Sequence, residues 1–346
     1  MYMKKIIFMG LLISTQLLTA LSFSHHDWEV TCDNSNTCRM VGYSEEDSKN
    51  LPVTVLLISR AGPNQEVMGK VQLGYLGDKE SKVFATFPKK FQLEMKINNK
   101  SLGLVSMSKN ELIGSLSKKQ TYALLNAFKN KSTIVWKTGN YYWELSDQGS
   151  SAVLLKVDEF QKRLGTTGAL YKKGTKSEQN VLRPKTVPTI YAPALYSDKE
   201  VRINSQQMKL LEKALVLNEE ECFSANAEDN ELSLYKLSSN KLLATKVCWM
   251  AAYNTGSAYW VINNKAPFAP KLITTESNAY SIENKIGTIS GQHKGRGIGD
   301  CISYEKFVWN GKKFQQTNKG STGACRLMAA GGAWNLPSFV STIKRK

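Results

Sequence analysis

Six cysteines constrain this chain more than any other feature: Cys32, Cys38, Cys222, Cys248, Cys301 and Cys325. Whether such residues are bridges, ligands or nucleophiles depends on the compartment, and the N-terminus bears on that. Lys4 and Lys5 precede an apolar run from Ile6 to Leu18, and Ser22 and Ser24 supply small residues before His25. This is the three-part pattern of a secretory signal, and the run is too short to span a bilayer comfortably. The expectation is a leader over residues 1–24, cut near Ser24, and an exported mature chain. An even cysteine count outside the cytosol reads as disulfides. Short loops close most easily, so Cys32–Cys38, Cys222–Cys248 and Cys301–Cys325 are the expected pairs. Zinc is disfavoured: no Cys-x-x-Cys occurs, and the histidines are His25, His26 and His293.

Behind the leader the apolar pattern has mostly period two. Trp28, Val30 and Cys32 alternate with polar neighbours, Asp33–Thr37 supplies a turn, and Cys38–Tyr43 returns. Val53–Ser59 is a continuous apolar run, read as a strand buried on both sides. Val67–Leu73, Val83–Phe87, Phe91–Ile97, Thr133–Trp136 and Tyr141–Leu145 read as further strands. Two helices interrupt them. Lys118–Lys129 has Ser117 as N-cap and a stripe of Tyr122, Leu125 and Phe128. The second starts near Ser151, carries Val153, Val157, Phe160 and Leu164, and stops at Gly165.

Residues 171–193, rich in lysine and proline, read as a linker between an N-terminal domain (25–170) and a C-terminal one (194–346). The second unit opens with a helix from Ser205 to Leu217, striped by Met208, Leu211 and Leu215. Hairpin signals follow, with Leu232–Leu237 and Leu242–Trp249 around Ser238–Lys241, and Tyr304–Trp309 and Lys313–Gln316 around Asn310-Gly311. Strands at Ala258–Ile262, Tyr280–Ile282 and Lys285–Ile289 lie between. The fold class is β-dominated α+β: two antiparallel, β-rich, disulfide-stabilised lobes with a few short helices.

Several stretches resemble one family of exported bacterial proteins, DUF1176. They are Asp27-Trp-Glu-Val-Thr-Cys with Cys38-Arg39, Ala152–Lys173, Gly295-Arg-Gly-Ile-Gly-Asp-Cys301, Val308–Phe314 and Cys325-Arg326. The resemblance runs in order through nearly all of the mature chain. It implies a periplasmic protein of Gram-negative bacteria with no established active site. The first half is similar, more loosely, to invasion-associated locus B proteins through its Asp-Trp-x-Val-x-Cys start.

The densest functional signal is Gly291–Cys301, where four glycines alternate with His293, Lys294, Arg296 and Asp300. A glycine-rich turn can present backbone N–H groups to an anion, and Arg296 could add a bidentate fork. It lacks the Gly-x4-Gly-Lys-Ser/Thr of a phosphate loop and the dinucleotide fingerprint. The competing reading is a tight turn in which Arg296 and Asp300 pair with each other or with backbone. His293 is a general-base candidate without a nucleophile, because no Gly-x-Ser-x-Gly elbow occurs and the cysteines are expected to be oxidised. His25 and His26 beside a free α-amino group would resemble a copper- or nickel-favouring end. The acid run from Glu219 to Glu231 lacks the order of a calcium loop and reads as a solvated acidic loop. In Tyr141-Tyr142-Trp143 a strand must face aromatics to both sides, and Tyr142 could project outward as a platform for a sugar ring or a base. Core packing or sheet cover is the favoured reading.

Lysine and arginine exceed aspartate and glutamate by 46 to 29, for a formal charge of +17. Such an excess favours anionic surfaces, although a solvated basic surface also simply keeps a chain soluble. The expected function is non-catalytic: a binding or accessory protein of the cell envelope that recognises an anionic component or a partner protein. Its binding candidates are His293, Lys294, Arg296 and Asp300. The alternative is an envelope hydrolase using carboxylates, with Asp158, Glu159 and Asp300 first in line. No motif calls for a cofactor or a metal, and export together with the absence of a recognition motif argues against specific nucleic-acid binding.

Overall fold

The Cys32–Cys38 bridge staples the hairpin of strands Trp28–Cys32 and Cys38–Tyr43, and the first sheet grows outward from it. The computed structural model describes residues 20–217, 220, 222, 223 and 230–346. Most of the leader and most of the acid run at 219–231 thus lie outside the described residues. The first lobe holds β1 (Leu21–His25), β2 (Trp28–Cys32), β3 (Cys38–Tyr43), β4 (Val53–Ser59) and β5 (Met68–Leu73). Then come α1 (Asp78–Ala85), β6 (Lys90–Ile97), β7 (Lys100–Ser108), β8 (Ile113–Ser115), α2 (Lys118–Ala127), β9 (Ile134–Thr138), β10 (Tyr141–Leu145) and α3 (Ser150–Phe160). One antiparallel sheet runs β1-β2-β3-β4-β5-β8 and another β10-β9-β6-β7. A single apolar core joins them, with Val30, Met40, Val55 and Val71 from the first and Leu93, Met95, Trp136 and Trp143 from the second.

Period two decides which face of the second sheet meets water. Along β6, Phe91, Leu93 and Met95 are buried while Gln92 is exposed and Glu94 and Lys96 are half-buried. The same parity on β9 and β10 buries Trp136 and Trp143 and turns Lys137 and Tyr142 outward.

Two local readings are corrected. Val83–Phe87 belongs to α1 and the turn after it, not to a strand. Phe84 stacks on Trp143 and Phe87 packs edge-on against Phe91, a helical spacing that so short an apolar run could not reveal. Ser117 does cap α2, in a full capping box with Gln120. The buried stripe of α2, however, is Gln120, Thr121, Leu124 and Ala127, and Tyr122 is 58% exposed. Gly69 of β5 allows this orientation, since a Cβ there would lie 2.7 Å from the Thr121 hydroxyl.

The second lobe adds β11 (Thr189–Ala192), α4 (Ser205–Ala214), β12 (Ser233–Lys236), β13 (Lys241–Met250), β14 (Thr255–Asn263), β15 (Lys271–Ser277), β16 (Ala279–Glu283), β17 (Ile286–Lys294), β18 (Ile302–Trp309), β19 (Phe314–Ser321), β20 (Leu336–Val340) and β21 (Thr342–Arg345). A four-stranded sheet, β12 to β15, carries α4 on one face and the five-stranded sheet β16 to β20 on the other. Alternation along β13 and β14 assigns the layers. Leu242, Ala244, Trp260 and Ile262 cluster with Leu211 of α4, and Leu243, Tyr259 and Val261 with Ile289 and Trp309.

The outer face of the first sheet is covered too. Met328, Trp334 and Leu336 lie in one cluster with Val41, Tyr43 and Leu56, which is why β4 is apolar on both sides. Residues 171–193 also hold to the first lobe: Arg163 pairs with Glu178, and Gly62 N–H donates to Leu182 O. The segment then ends in β11, which pairs in parallel with β21 near the C-terminus.

Candidate functional site

The glycine-rich stretch is only partly a loop. β17 absorbs Gly291, Gln292, His293 and Lys294, leaving residues 295–301 as the connection to β18. A Cβ at Gly295 would lie 2.6 and 2.9 Å from the sulfurs of Cys301 and Cys325, so that glycine answers to the bridge. Arg296 donates through Nε and Nη2 to the two oxygens of Asp300, at 2.8 and 2.6 Å. Leu327 N–H adds a 2.7 Å bond to Asp300 Oδ2. The Arg296 hydrogen bonds hold the Asp300 carboxyl below the usual carboxylate range, and Asp300 raises Arg296 in turn. The fork that could have gripped a ligand anion already grips Asp300.

The four predicted residues therefore divide. Arg296 and Asp300 face the chain around Cys325. His293 lies against Trp249, ring centroids 5.1 Å apart, with Nε2 on the Glu276 carbonyl. Lys294 is exposed, and its backbone is tied at both N–H and carbonyl to Asn254. No shared surface gathers all four.

The segment bridged to the loop, around Cys325, meets the first lobe. Arg326, next to the bridge, pairs with Asp27 at 3.0 Å and Glu46 at 3.7 Å and lies 5.7 Å above the Tyr43 ring. The Tyr43 hydroxyl donates to Glu29 at 2.6 Å, and the same carboxylate accepts Ala324 N–H at 2.7 Å. Burial, then Glu29, pushes the Tyr43 phenol well above its ordinary value, so it stays a neutral donor.

The hydrolase carboxylates are committed elsewhere. Asp158 is fully buried on α3 and accepts three backbone N–H groups, from Leu170 (2.7 Å), Tyr171 (2.9 Å) and Lys172 (3.3 Å). Its pKa is raised, because burial outweighs those bonds. Glu159, one residue on, is exposed and pairs with Lys156. Nearby, the buried Arg163 guanidinium binds Glu178, Gln161 and the carbonyls of Arg60 and Gly62. These contacts fix the backbone of residues 160–183.

Open surface of another kind lies on the water-facing side of β6, β9 and β10. A shallow concavity of about 410 Å³ there is lined by Lys96, Asn99, Thr133, Lys137, Asn140 and Tyr142, among others, with no carboxylate and no arginine. Tyr142 is 46% exposed, and its hydroxyl donates to Asn50 at 2.6 Å. A second cavity, about 260 Å³, opens between α2 and residues 168–173, where Lys173 sits over the Tyr122 ring and Lys118 pairs with Glu66. Of the concavity's residues, sequence reading singled out Tyr142 alone, through parity. Lys96 and Lys137 could have been found the same way.

The family described as "Protein of unknown function (DUF1176)" matches residues 22–341. The chain belongs to the DUF1176 family. An Escherichia coli (strain K12) relative described as "Uncharacterized protein YpfG" is 26% identical over 332 residues, covering 89% of this chain and 90% of its own length. No solved structure matches. In this DUF1176 chain the stretches that resemble the family include the hairpin bridge, the Asp158 and Arg163 anchors, the Arg296–Asp300 pair, the β18–β19 hairpin and Arg326. The concavity over Tyr142 lies within the matched span but outside those stretches.

Proposed function

We propose that the protein is an exported, non-catalytic binding protein of the cell envelope that recognises an anionic component. The division of its charges carries this reading. Asp158 and Asp300 are committed to backbone N–H groups or an arginine, and the arginines at the joints have acidic partners. Lysines such as Lys89, Lys90, Lys100 and Lys137 remain exposed to attract anions. The three disulfides fit an oxidising compartment, and no described helix is long and apolar enough to cross a membrane. Binding of anionic envelope polymers to the immobilised mature protein, followed through a salt series, tests it. Attraction of this kind must weaken with ionic strength, so salt-independent retention, or none, rejects the reading.

Export also bears on the start of the mature chain. All five residues of β1 pair with β2, and Phe23 packs on the core. A cut after Ser24 would remove most of that strand. A cut after Ser22, with Ala20 at the position two residues earlier, keeps Phe23 and still offers small residues to the peptidase. Intact-mass measurement of the exported protein is expected to place the N-terminus at or before Phe23; a start at His25 would refute that.

A further inference from the structure

The outer face of β6, β9 and β10 combines three features that converge on one ligand class. The first is an aromatic ring held in place. Tyr142 donates its hydroxyl to Asn50, and Asn50 donates to Glu144 at 3.2 Å, so the ring is tethered while nearly half the residue stays open to water. A fixed, half-exposed ring loses little freedom when a flat apolar face stacks on it.

The second feature is charge. Lys137 stands directly across the β9–β10 ladder from Tyr142 and across the β6–β9 ladder from Glu94. Glu94 also pairs with Lys96 at 3.2 Å. Lys96 and Lys137 are the only charged groups in the lining of the concavity itself, while Glu94 and Glu144 flank it. Lysine is a point charge without the planar fork that phosphate recognition exploits. A small, local positive charge bordered by carboxylates suits an isolated carboxylate better than a dense polyphosphate.

The third feature is a pair of amides. Asn99 lies in the β6–β7 turn, where Asn98 and Asn99 both have positive φ, and Asn140 lies in the β9–β10 turn beside Gly139. Each amide offers donors and an acceptor, the complement of neighbouring hydroxyls. At about 410 Å³ the concavity falls within the usual range of small-ligand sites. At Thr133 it meets a second concavity of about 370 Å³, whose lining holds Glu45, Glu144 and Asp147 against Lys131 alone. That acidic neighbour would repel an anionic chain and confines the acidic ligand to the first concavity.

We propose that this sheet face binds an acidic glycan, with Tyr142 stacking on a sugar ring, Lys96 and Lys137 facing its carboxylate, and Asn99 and Asn140 meeting its hydroxyls. The inference rests on the binding-protein reading and gives it a location and a ligand class.

Calorimetric titration of the full mature protein with a uronic-acid oligosaccharide, such as hexagalacturonate, tests it. A neutral oligosaccharide of equal length, an inorganic polyphosphate and a short oligothymidylate are run alongside. The uronic-acid chain is expected to bind most tightly. Tyr142→Ala should weaken it about tenfold, the scale of a lost aromatic stack, and Lys137→Gln about threefold at low salt. Tyr122→Ala, at the other cavity, should change nothing. Each variant's melting temperature shows that it folds, and Asn140→Ala gives an independent arm should Tyr142→Ala misfold. Uronic-acid binding that all of the sheet-face variants leave intact overturns this site but spares the binding-protein reading. Tighter binding of polyphosphate or oligothymidylate than of the glycan overturns the ligand class. Binding of no anion by the folded protein overturns both.

Discussion

The glycine loop and the face of the second sheet are both basic and both polar, yet they are built for opposite purposes. At the loop, Arg296 and Arg326 have carboxylate partners, a disulfide fixes the turn, and backbone N–H groups consume the remaining acceptors. On the sheet, Lys96 pairs with Glu94, Lys137 stands across the ladder from Glu94, and a tethered tyrosine leaves its ring open. Bidentate arginine pairs suit a joint because planar forks fix geometry. Lysines on strands suit reversible contact because their charge remains available. Density of glycine, cysteine and charge in the sequence thus marks where the backbone must be held, and a sparse, alternating pattern marks where it is open.

That contrast can be broken by substitution, and the largest effect belongs to the bridge. Replacing Cys301 and Cys325 together by serine opens a loop with a separation of 24 residues and is expected to cost about 3 kcal/mol. Urea unfolding reads it as a lower midpoint. A midpoint unchanged from the native protein would show that the loop is not a joint.

Asp300→Asn should cost less, about 1–2 kcal/mol, because Arg296 is partly solvated and its pairing is screened. The pH dependence has a definite sign. Arg296 lowers the Asp300 carboxyl in the folded state, so its contribution is complete above the unfolded pKa of about 4 and fades as pH falls through the lower folded value. The melting-temperature gap between native and variant proteins should be flat near neutrality and narrow below about pH 4. A gap that widened in acid would contradict the assignment.

Features set by neighbours in sequence were legible. The three bridges join the nearest cysteines, Ser117 and Gln120 form their capping box, and Asn310-Gly311 turns β18 into β19. Arg296 and Asp300, four apart, were within reach of the same reasoning. Features set by distant partners were not. β7, β15 and β21 carry weak apolar alternation and exist because other strands lie beside them. Arg326 finds Asp27 from the opposite end of the chain, which no local pattern encodes. The concavity has the same origin: Lys96, Lys137 and Tyr142 come from three strands, and only their register brings them side by side.

The smallest effect on stability should come from that sheet face, and there smallness is the informative result. Lys137→Gln is expected to shift stability by less than about 0.5 kcal/mol, since the side chain is exposed and fills no core space. Tyr142→Ala should stay near that limit, because it removes one surface hydrogen bond, to Asn50, and no buried packing. Chemical denaturation of both variants beside Asp300→Asn places the three on one scale. If Lys137→Gln destabilised as much as Asp300→Asn, the sheet lysines would be structural ion-pair members like the arginines of the joint. The distinction between a fastened region and an open one would then fail. A neutral Lys137→Gln leaves Glu94 with Lys96 and Ser101, which already lower its pKa, Ser101 first. It thereby isolates the one charge that the fold can do without.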